Sequence, residues 1–325
     1  MARADINDHI IDTHMIRPTV EDLHPLVMDE VLWALKVKDR PFLRWLVNFL
    51  ATLPVKKFTR LIIEFENAVG DYGPAQGAQM IFKYFFDDLK VMGRENIPDK
   101  GPVILAANHP GGMDFIAEVG LSCRDDIRII SSDVNFLRPL PVANQYLVPV
   151  TADPKIRFKA LKETLAHLEQ GGALLLYPSG SIDPDPQFFR NAKEHLSRWS
   201  RSLEAYLRKV PEVQFVPIIT SNALNERFLF NKLVMSQKYR LERQRAAEFL
   251  QTLNMMFLKG KRLDLQISIG KPVQFPGLKV GDKDSIRQAK LQLQTVAENL
   301  FEEHLLNFPA TRSELWLEKE AVFQH

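Results

Sequence analysis

Apolar and polar residues along the chain follow two different periods, and the change falls near residue 86. Before it, apolar positions recur at helical spacing, with a Gly/Pro break at residues 70–74. After it, short apolar runs alternate with amphipathic stretches, as in strands that alternate with helices. The pattern predicts an α/β protein: a mixed β-sheet flanked by helices, with a helical N-terminal region and a C-terminal helix.

The same pattern predicts how the chain is divided. Residues 1–85 form the helical N-terminal region, and residues 86–325 form the α/β domain. Strands are predicted at 103–107, 127–131, 147–151, 173–177, 213–219 and 263–269. Helices are predicted at 155–170, 188–209 and 285–306, with an insertion of one or two amphipathic helices at about 225–259.

The segment 41–60 carries large apolar side chains followed by three cations, Lys56, Lys57 and Arg60. It suits a helix that lies in a membrane interface, with Trp45 at headgroup depth and the cations towards anionic lipid. It equally suits a helix packed on the protein core, because periodicity does not distinguish a core from an acyl layer. No run reaches the roughly 18 to 20 apolar residues of a transmembrane helix.

Candidate chemistry appears where the predicted strand 103–107 ends, in Asn108-His109-Pro110-Gly111-Gly112-Met113-Asp114. A strand ending here places the imidazole at the carboxyl edge of a sheet, and the Pro/Gly turn brings Asp114 to the start of the next helix. The carboxylate can then orient His109 and stabilise its imidazolium, which leaves the other ring nitrogen to act as a base. The alternative is a turn histidine beside a helix-capping aspartate.

Spacing alone does not decide between these interpretations, because His24 and Asp29 have the same separation. That earlier copy has no preceding apolar strand and no glycines. It is typical of a helix start with proline near the first turn, and we interpret it as structural.

A second apolar strand breaks into a turn at Tyr177-Pro178-Ser179-Gly180-Ser181-Ile182-Asp183. Two further segments follow, at 216–219 (Val-Pro-Ile-Ile) and 269–273 (Ile-Gly-Lys-Pro-Val). In order and rough spacing, these four segments resemble the glycerolipid acyltransferase superfamily, which includes the lysophosphatidic acid acyltransferases. The resemblance covers about residues 86–275, and the His-x4-Asp block is its most specific part.

The resemblance implies transfer of a fatty acyl group from acyl-CoA or acyl-carrier protein to a hydroxyl of a lyso-lipid-type acceptor. His109 is then the general base and Asp114 its orienter, and the thioester oxyanion needs N–H donors, which the backbone near Ser179 could supply. No cofactor and no metal are implied. The residues implied in substrate binding are Asn108, Gly111, Gly112, Tyr177, Pro178, Ser179, Gly180, Ser181 and Arg138.

The second motif departs from the family pattern. Many relatives carry Phe-Pro-Glu-Gly-Thr-Arg, whereas this chain has Ser179 and Ile182 in place of the acid and the base. Neither replaces a carboxylate or a guanidinium, so we expect an acceptor less charged than glycerol phosphate. Arg138 could compensate, or it is a solvated loop arginine.

Two other functions stay open at this point. Ser179 or Ser181 could form a hydrolase triad with His109 and Asp114, although the chain lacks the Gly-x-Ser-x-Gly elbow. Alternatively, the chain is a non-catalytic lipid-binding member of the same fold. Asp183 and Asp185 offer two carboxylates for a hard metal, but their flanking prolines favour an exposed turn.

Composition narrows the setting. The chain has 325 residues, 46% of them hydrophobic, which is enough for a large core, and its net charge of +2 gives no electrostatic case for nucleic acid. Residues 1–9 lack the apolar core of a secretory signal. Together with the resemblance, which implies phospholipid biosynthesis, and with the 41–60 segment, this leads us to expect a cytoplasmic protein that associates peripherally with the inner face of the membrane.

Overall fold

A computed structural model describes residues 17–310, apart from 36, 200, 259, 276–277 and 279–281. The polar segment 1–9, from which the absence of a secretory signal was predicted, lies outside the described residues. Within that described part, no helix combines the length and the apolar character needed to cross a membrane.

Three helices precede the sheet: α1 (Val20–Ala34), α2 (Pro41–Tyr72) and α3 (Pro74–Phe85). Thr19 and Asp22 cap α1 reciprocally, each side chain accepting from the other's backbone N–H. The helices α2 and α3 begin with proline, which is suited to the first helical turn because it has no N–H to leave unpaired. Helices α1 and α2 enclose a small core of their own.

The sheet has seven strands among the described residues, in the order β1-β7-β6-β2-β5-β3-β4. The strands are β1 (Phe86–Met92), β2 (Val103–Ala107), β3 (Ile127–Ser132), β4 (Leu147–Val150), β5 (Ala173–Leu176), β6 (Gln214–Ser221) and β7 (Leu263–Ile269). All pairs are parallel except β6 with β7, which is antiparallel. The carboxyl ends of β2, β5 and β6 therefore lie along one edge of the sheet.

Helices cover both faces of this sheet. The remaining helices are α4 (Asp114–Ser122), α5 (Pro154–Glu169), α6 (Arg201–Lys209), α7 (Glu226–Leu229), α8 (Lys232–Met235), α9 (Arg240–Leu258) and α10 (Lys283–Asn307), with 3-10 turns at Arg94–Asn96, Ala143–Gln145 and Arg190–Arg198. Alternate residues of β2 face opposite cores: Leu105 packs with α3 and α4, and Ile104 packs with α6 and α10. A strand buried on both faces explains the uninterrupted apolar run in the sequence.

The predicted fold class, a mixed sheet with N-terminal helices and a C-terminal helix, is confirmed. Three details differ. The strand β1 was not predicted, the stretch 188–209 is a 3-10 turn followed by α6 rather than one helix, and the insertion at 225–259 contains two short helices before the long α9. The division of the chain into two domains at residue 86 stays a prediction.

Candidate active site

The His109 and Asp114 side chains lie in direct contact at the carboxyl edge of β2. The Nδ1 atom of His109 is 3.0 Å from Oδ1 and 3.1 Å from Oδ2 of Asp114. Asp114 is fully buried, whereas the imidazole is 23% exposed. Among the described residues, no hydrogen-bond partner lies at Nε2, so Nδ1–H donates to the carboxylate and Nε2 is left to exchange a proton.

The helix start fixes the Asp114 carboxylate. Its Oδ2 accepts from the Gly111 N–H at 3.2 Å, and its Oδ1 accepts from the Phe115 N–H at 2.8 Å. A carboxylate at the N-terminus of α4 is also favoured by the helix dipole. The Gly-Gly turn thus gives Asp114 the backbone donors that hold it against the imidazole.

The side chains of Asn108 and Asp183 hold the loop that carries His109. Asn108 exchanges two hydrogen bonds with the backbone of Thr220 on β6, at 2.8 and 2.7 Å. Asp183 accepts from the His109 N–H at 3.0 Å, and its own N–H donates to the His109 carbonyl at 2.8 Å. Asn108 therefore positions the loop that carries His109 in this structure, while its predicted contact with substrate stays a prediction.

The second motif packs against the histidine from β5. The Tyr177 ring stacks on His109 with centroids 4.2 Å apart, and its hydroxyl donates to the Glu118 carboxylate at 2.6 Å. Gly180 has a φ of +68°, in the left-handed region that favours glycine, which the tight turn after Pro178 requires. The Gly180 N–H donates to the Tyr177 carbonyl, so it is not aimed at a ligand in this conformation.

The hydroxyl of Ser179 does not contact His109. It donates to Asp183 Oδ2 at 2.9 Å and lies 3.0 Å from the Ser181 carbonyl oxygen. Ser181 is exposed at the tip of the turn. The structure therefore does not assemble the serine triad of the esterase alternative.

Three carboxylates surround the imidazole: Asp114, Glu118 and Glu248. Burial favours the neutral ring, but the charge and hydrogen bond of Asp114, together with the charges of Glu118 and Glu248, raise the pKa of His109 to about 9. Burial, followed by the charge of Asp114, raises the pKa of Glu118 to about 8. Burial also raises the pKa of Glu248 to about 7. These shifted groups are typical of a functional site.

His109 opens into an apolar cavity of about 420 Å³. Its polar end contains Gly112, Tyr177, Gly180, Ser181 and Arg245. The rest of the lining is mainly apolar and comes from α2 to α4, β3 and β4, including Phe65, Val69, Ala78, Phe115, Val119, Ile129, Val134, Leu137, Leu147 and Val150. This shape combines one candidate base with room for a hydrocarbon chain.

The inserted helix α9 supplies site residues that the sequence analysis did not identify. The Glu248 carboxylate accepts from the Gly112 N–H. Gln244 is buried and donates to the carbonyls of Pro110 and Asp183, at 3.1 and 2.9 Å. Their spacing of one helical turn was the available signal, because polar residues four apart share a face.

The structure also bears on the Asp183–Pro186 stretch, on Arg138 and on the possible metal site. The Asp183–Pro186 stretch is buried rather than an exposed turn, because Asp185 accepts from the N–H groups of Asn222, Ala223 and Leu224. Arg138 donates two hydrogen bonds to Asp133, at 2.9 and 2.6 Å, and is not part of the cavity lining. Among the described residues, no group of three or more His, Cys, Asp or Glu side chains could hold a metal ion.

The earlier copy of the motif has a different structure. His24 lies inside α1, and its Nε2 is 3.4 Å from the Thr52 carbonyl oxygen. Asp29 pairs with Lys38 at 3.2 Å. The two side chains therefore face separate partners, and this copy offers a matched control for His109.

One family model matches part of the chain. Residues 88–221 match the family model described as Acyltransferase. Among solved structures, the chain is similar to the 1-acyl-sn-glycerophosphate (LPA) acyltransferase PlsC from Thermotoga maritima, at 18% identity over 88% of this chain and 98% of that one, with a TM-score of 0.41. That likeness is too distant to define a substrate for this chain. None of the curated protein sequences matches it.

Proposed function

We propose that the chain moves a fatty acyl group from an acyl thioester to a hydroxyl of a lyso-lipid-type acceptor; the match of residues 88–221 to the Acyltransferase family model supports this. The observation that carries this proposal is the contact between His109 and Asp114 at the mouth of an apolar cavity. A binding protein has no evident need for a base and its orienter. The donor is a thioester of coenzyme A or of acyl-carrier protein.

In this mechanism, Nε2 of His109 takes the proton of the acceptor hydroxyl while its oxygen attacks the thioester carbonyl carbon. The tetrahedral intermediate collapses, the C–S bond breaks, and the thiolate takes the proton from the imidazolium. The products are an ester and a free thiol. Asp114 holds the ring by Nδ1 throughout, and the three nearby carboxylates stabilise the imidazolium.

The cavity accounts for the acyl chain of the donor. Most of its lining residues are apolar, and it reaches from His109 towards β3 and β4. Each buried methylene contributes roughly 0.8 kcal/mol, so a long chain gains most of its affinity here without polar contacts. The chain end then lies deep in the protein and the carbonyl lies beside His109.

Replacement of His109 or Asp114 tests the assignment. We expect His109→Ala and Asp114→Asn to lower kcat by roughly 10²- to 10⁴-fold, the usual contribution of a positioned base. The matched control His24→Ala should retain activity. Product ester is measured by mass spectrometry on proteins whose circular dichroism shows them folded. Equal losses from His24→Ala and His109→Ala contradict the assignment, and lipid binding without transfer in the wild type favours a non-catalytic member.

We also propose that α2 docks peripherally on an anionic membrane surface. Exposed residues form one stripe at helical spacing, first apolar and then cationic: Phe42, Trp45, Phe49, Leu53 and Arg60, with the half-buried Lys56 in the same stripe. The three aromatic rings stack along it, with centroids 6.2 and 6.0 Å apart. Trp45 is 61% exposed and Leu53 is 74% exposed, more than a core-packed face allows. Ala51, Pro54 and Val55 on the other side are buried, so the helix packs with one face only.

A further inference from the structure

A second apolar cavity lies behind the active-site loop, between α1, α2 and α9. This groove has a volume of about 300 Å³ and is lined by Val27, Val31, Trp33, Pro54, Val55, Phe58, Phe136, Phe249, Leu253 and Met256, with Glu30, Arg245, Glu248 and Thr252. Glu248 joins it to the site, because the same side chain accepts from the Gly112 N–H. The groove and the cavity beside His109 therefore meet at α9.

Arg245 lines both cavities, and within the described chain it is the one lysine or arginine in either lining. No carboxylate among the described residues lies within ion-pairing distance of its exposed guanidinium, although its charge acts on Glu248, where burial raises the pKa of the carboxyl and the charge of Arg245 partly offsets that rise. It shares the His109 cavity with Gly180, Ser181 and Ile182, the turn that carries no ionisable group. A cation is thus present beside that turn, but it comes from the inserted helix.

We propose that Arg245 binds the phosphate of a lysophospholipid acceptor, whose own acyl chain lies in the groove while the donor chain occupies the His109 cavity. This inference rests on the proposed function and names its acceptor class. In this arrangement the acyl chain of the acceptor packs against the apolar residues of the groove. Its phosphate lies where the groove and the His109 cavity meet, next to Arg245. The glycerol hydroxyl next to the phosphate then has to enter the His109 cavity, which Arg245 also lines.

The number of charges favours a phosphodiester headgroup. A phosphodiester carries one negative charge, which one guanidinium matches, whereas a phosphate monoester carries nearly two at neutral pH. The second charge would lie near Asp114 and Glu248, and like charges repel in a partly buried site. Arg138 does not offset it, because its guanidinium is held by Asp133.

The test compares acceptors that differ only in the headgroup, with the full chain and one acyl-CoA donor. The acceptors are a 1-acyl glycerophosphodiester, 1-acyl glycerol phosphate and monoacylglycerol. Arg245→Gln should raise KM for the phosphodiester by about 10- to 100-fold, the loss typical of a charged hydrogen bond, and change KM for monoacylglycerol less than threefold. Arg245→Lys should restore part of the affinity, and the matched control Arg243→Gln should behave as wild type. The wild type should use the phosphodiester fastest.

The groove is tested with acceptor chain length. Leu253→Trp and Val31→Trp each place a larger side chain in the groove. Each should raise KM for a long-chain acceptor and leave KM for a short-chain acceptor unchanged. Leu291→Trp, on the exposed face of α10, is the control. Equal effects of Arg245→Gln on all acceptors, or of the tryptophan variants on both chain lengths, overturn this inference while acyl transfer itself stands. A wild type that transfers to none of the acceptors, when the same panel is also run with an acyl-carrier-protein thioester, overturns the proposed function and this inference together.

Discussion

Replacement of Glu248 by glutamine should shift the pH dependence of acyl transfer to lower pH. Burial favours the neutral imidazole of His109, but Asp114, Glu118 and Glu248 raise its pKa to about 9. A general base acts in its neutral form, so kcat/KM of the wild type should rise with pH and level off above about 9. Removal of one negative charge makes the imidazolium less stable and lowers the pH at which the rate levels off.

The Glu248→Gln variant removes the negative charge and keeps nearly the same side-chain shape. Glutamine keeps an oxygen that accepts from the Gly112 N–H, so the turn beside His109 is retained. A base with a pKa two units above the assay pH is neutral in about one molecule in a hundred, and each unit by which the pKa falls raises that share about tenfold. Glu248→Gln should therefore be faster than wild type at pH 7 and slower at the high-pH plateau, because the base is weaker.

The assay measures product ester by mass spectrometry from pH 6 to 10.5, with a protein-free blank for hydrolysis of the thioester. Glu303→Gln, on the exposed face of α10, is the control and should reproduce the wild-type pH profile. Identical profiles for wild type and Glu248→Gln would refute the electrostatic argument. So would a wild-type midpoint near 6.5, the ordinary value for histidine.

Two further outcomes are expected. Binding to liposomes should increase with the fraction of anionic lipid, weaken with salt and fall in Trp45→Ala and Lys56→Glu. The reason is that cations and an aromatic anchor both contribute to binding. A chain that binds liposomes of no composition contradicts the docking proposal. Asp185→Ala should lower the free energy of unfolding in urea by about 3 kcal/mol or more, since it leaves several buried N–H groups unpaired. The exposed Asp99→Ala should have no such effect, and equal stability of the two variants would show that Asp185 does not hold these groups.

Local patterns explain why most of the fold could be predicted. Six of the seven strands were identified, because their apolar residues are either continuous, as in Val103–Ala107, or alternate with polar ones, as in Leu263–Ile269. The strand Phe86–Met92 was missed because it is an edge strand with exposed aspartates, and its apolar start continues the pattern of α3. Its pairing with β7 depends on residues more than 170 positions away, which a local pattern does not contain.

The residues of the candidate site could likewise be predicted only where a local pattern contains them. His109 and Asp114 could be found because only four residues separate them, and a turn between a strand and a helix brings them together. Gln244 and Glu248 could not, since their partners Pro110 and Gly112 lie 134 and 136 residues earlier in the chain. The burial of Asp183 and Asp185 was also missed, because prolines indicate a turn without showing which backbone groups surround it.

A base as strong as His109 suits the proton balance of the proposed reaction. The proton that leaves the acceptor hydroxyl must end on the thiolate that leaves the donor, and a thiol has a pKa of about 8.5. An imidazolium with a pKa of about 9 passes its proton to that thiolate with almost no change in free energy. A histidine with the ordinary value would be neutral more often at pH 7, but it would take the hydroxyl proton less readily. The carboxylates of Glu118 and Glu248 therefore strengthen the first transfer, and they leave the second nearly balanced where an ordinary histidine would make it favourable.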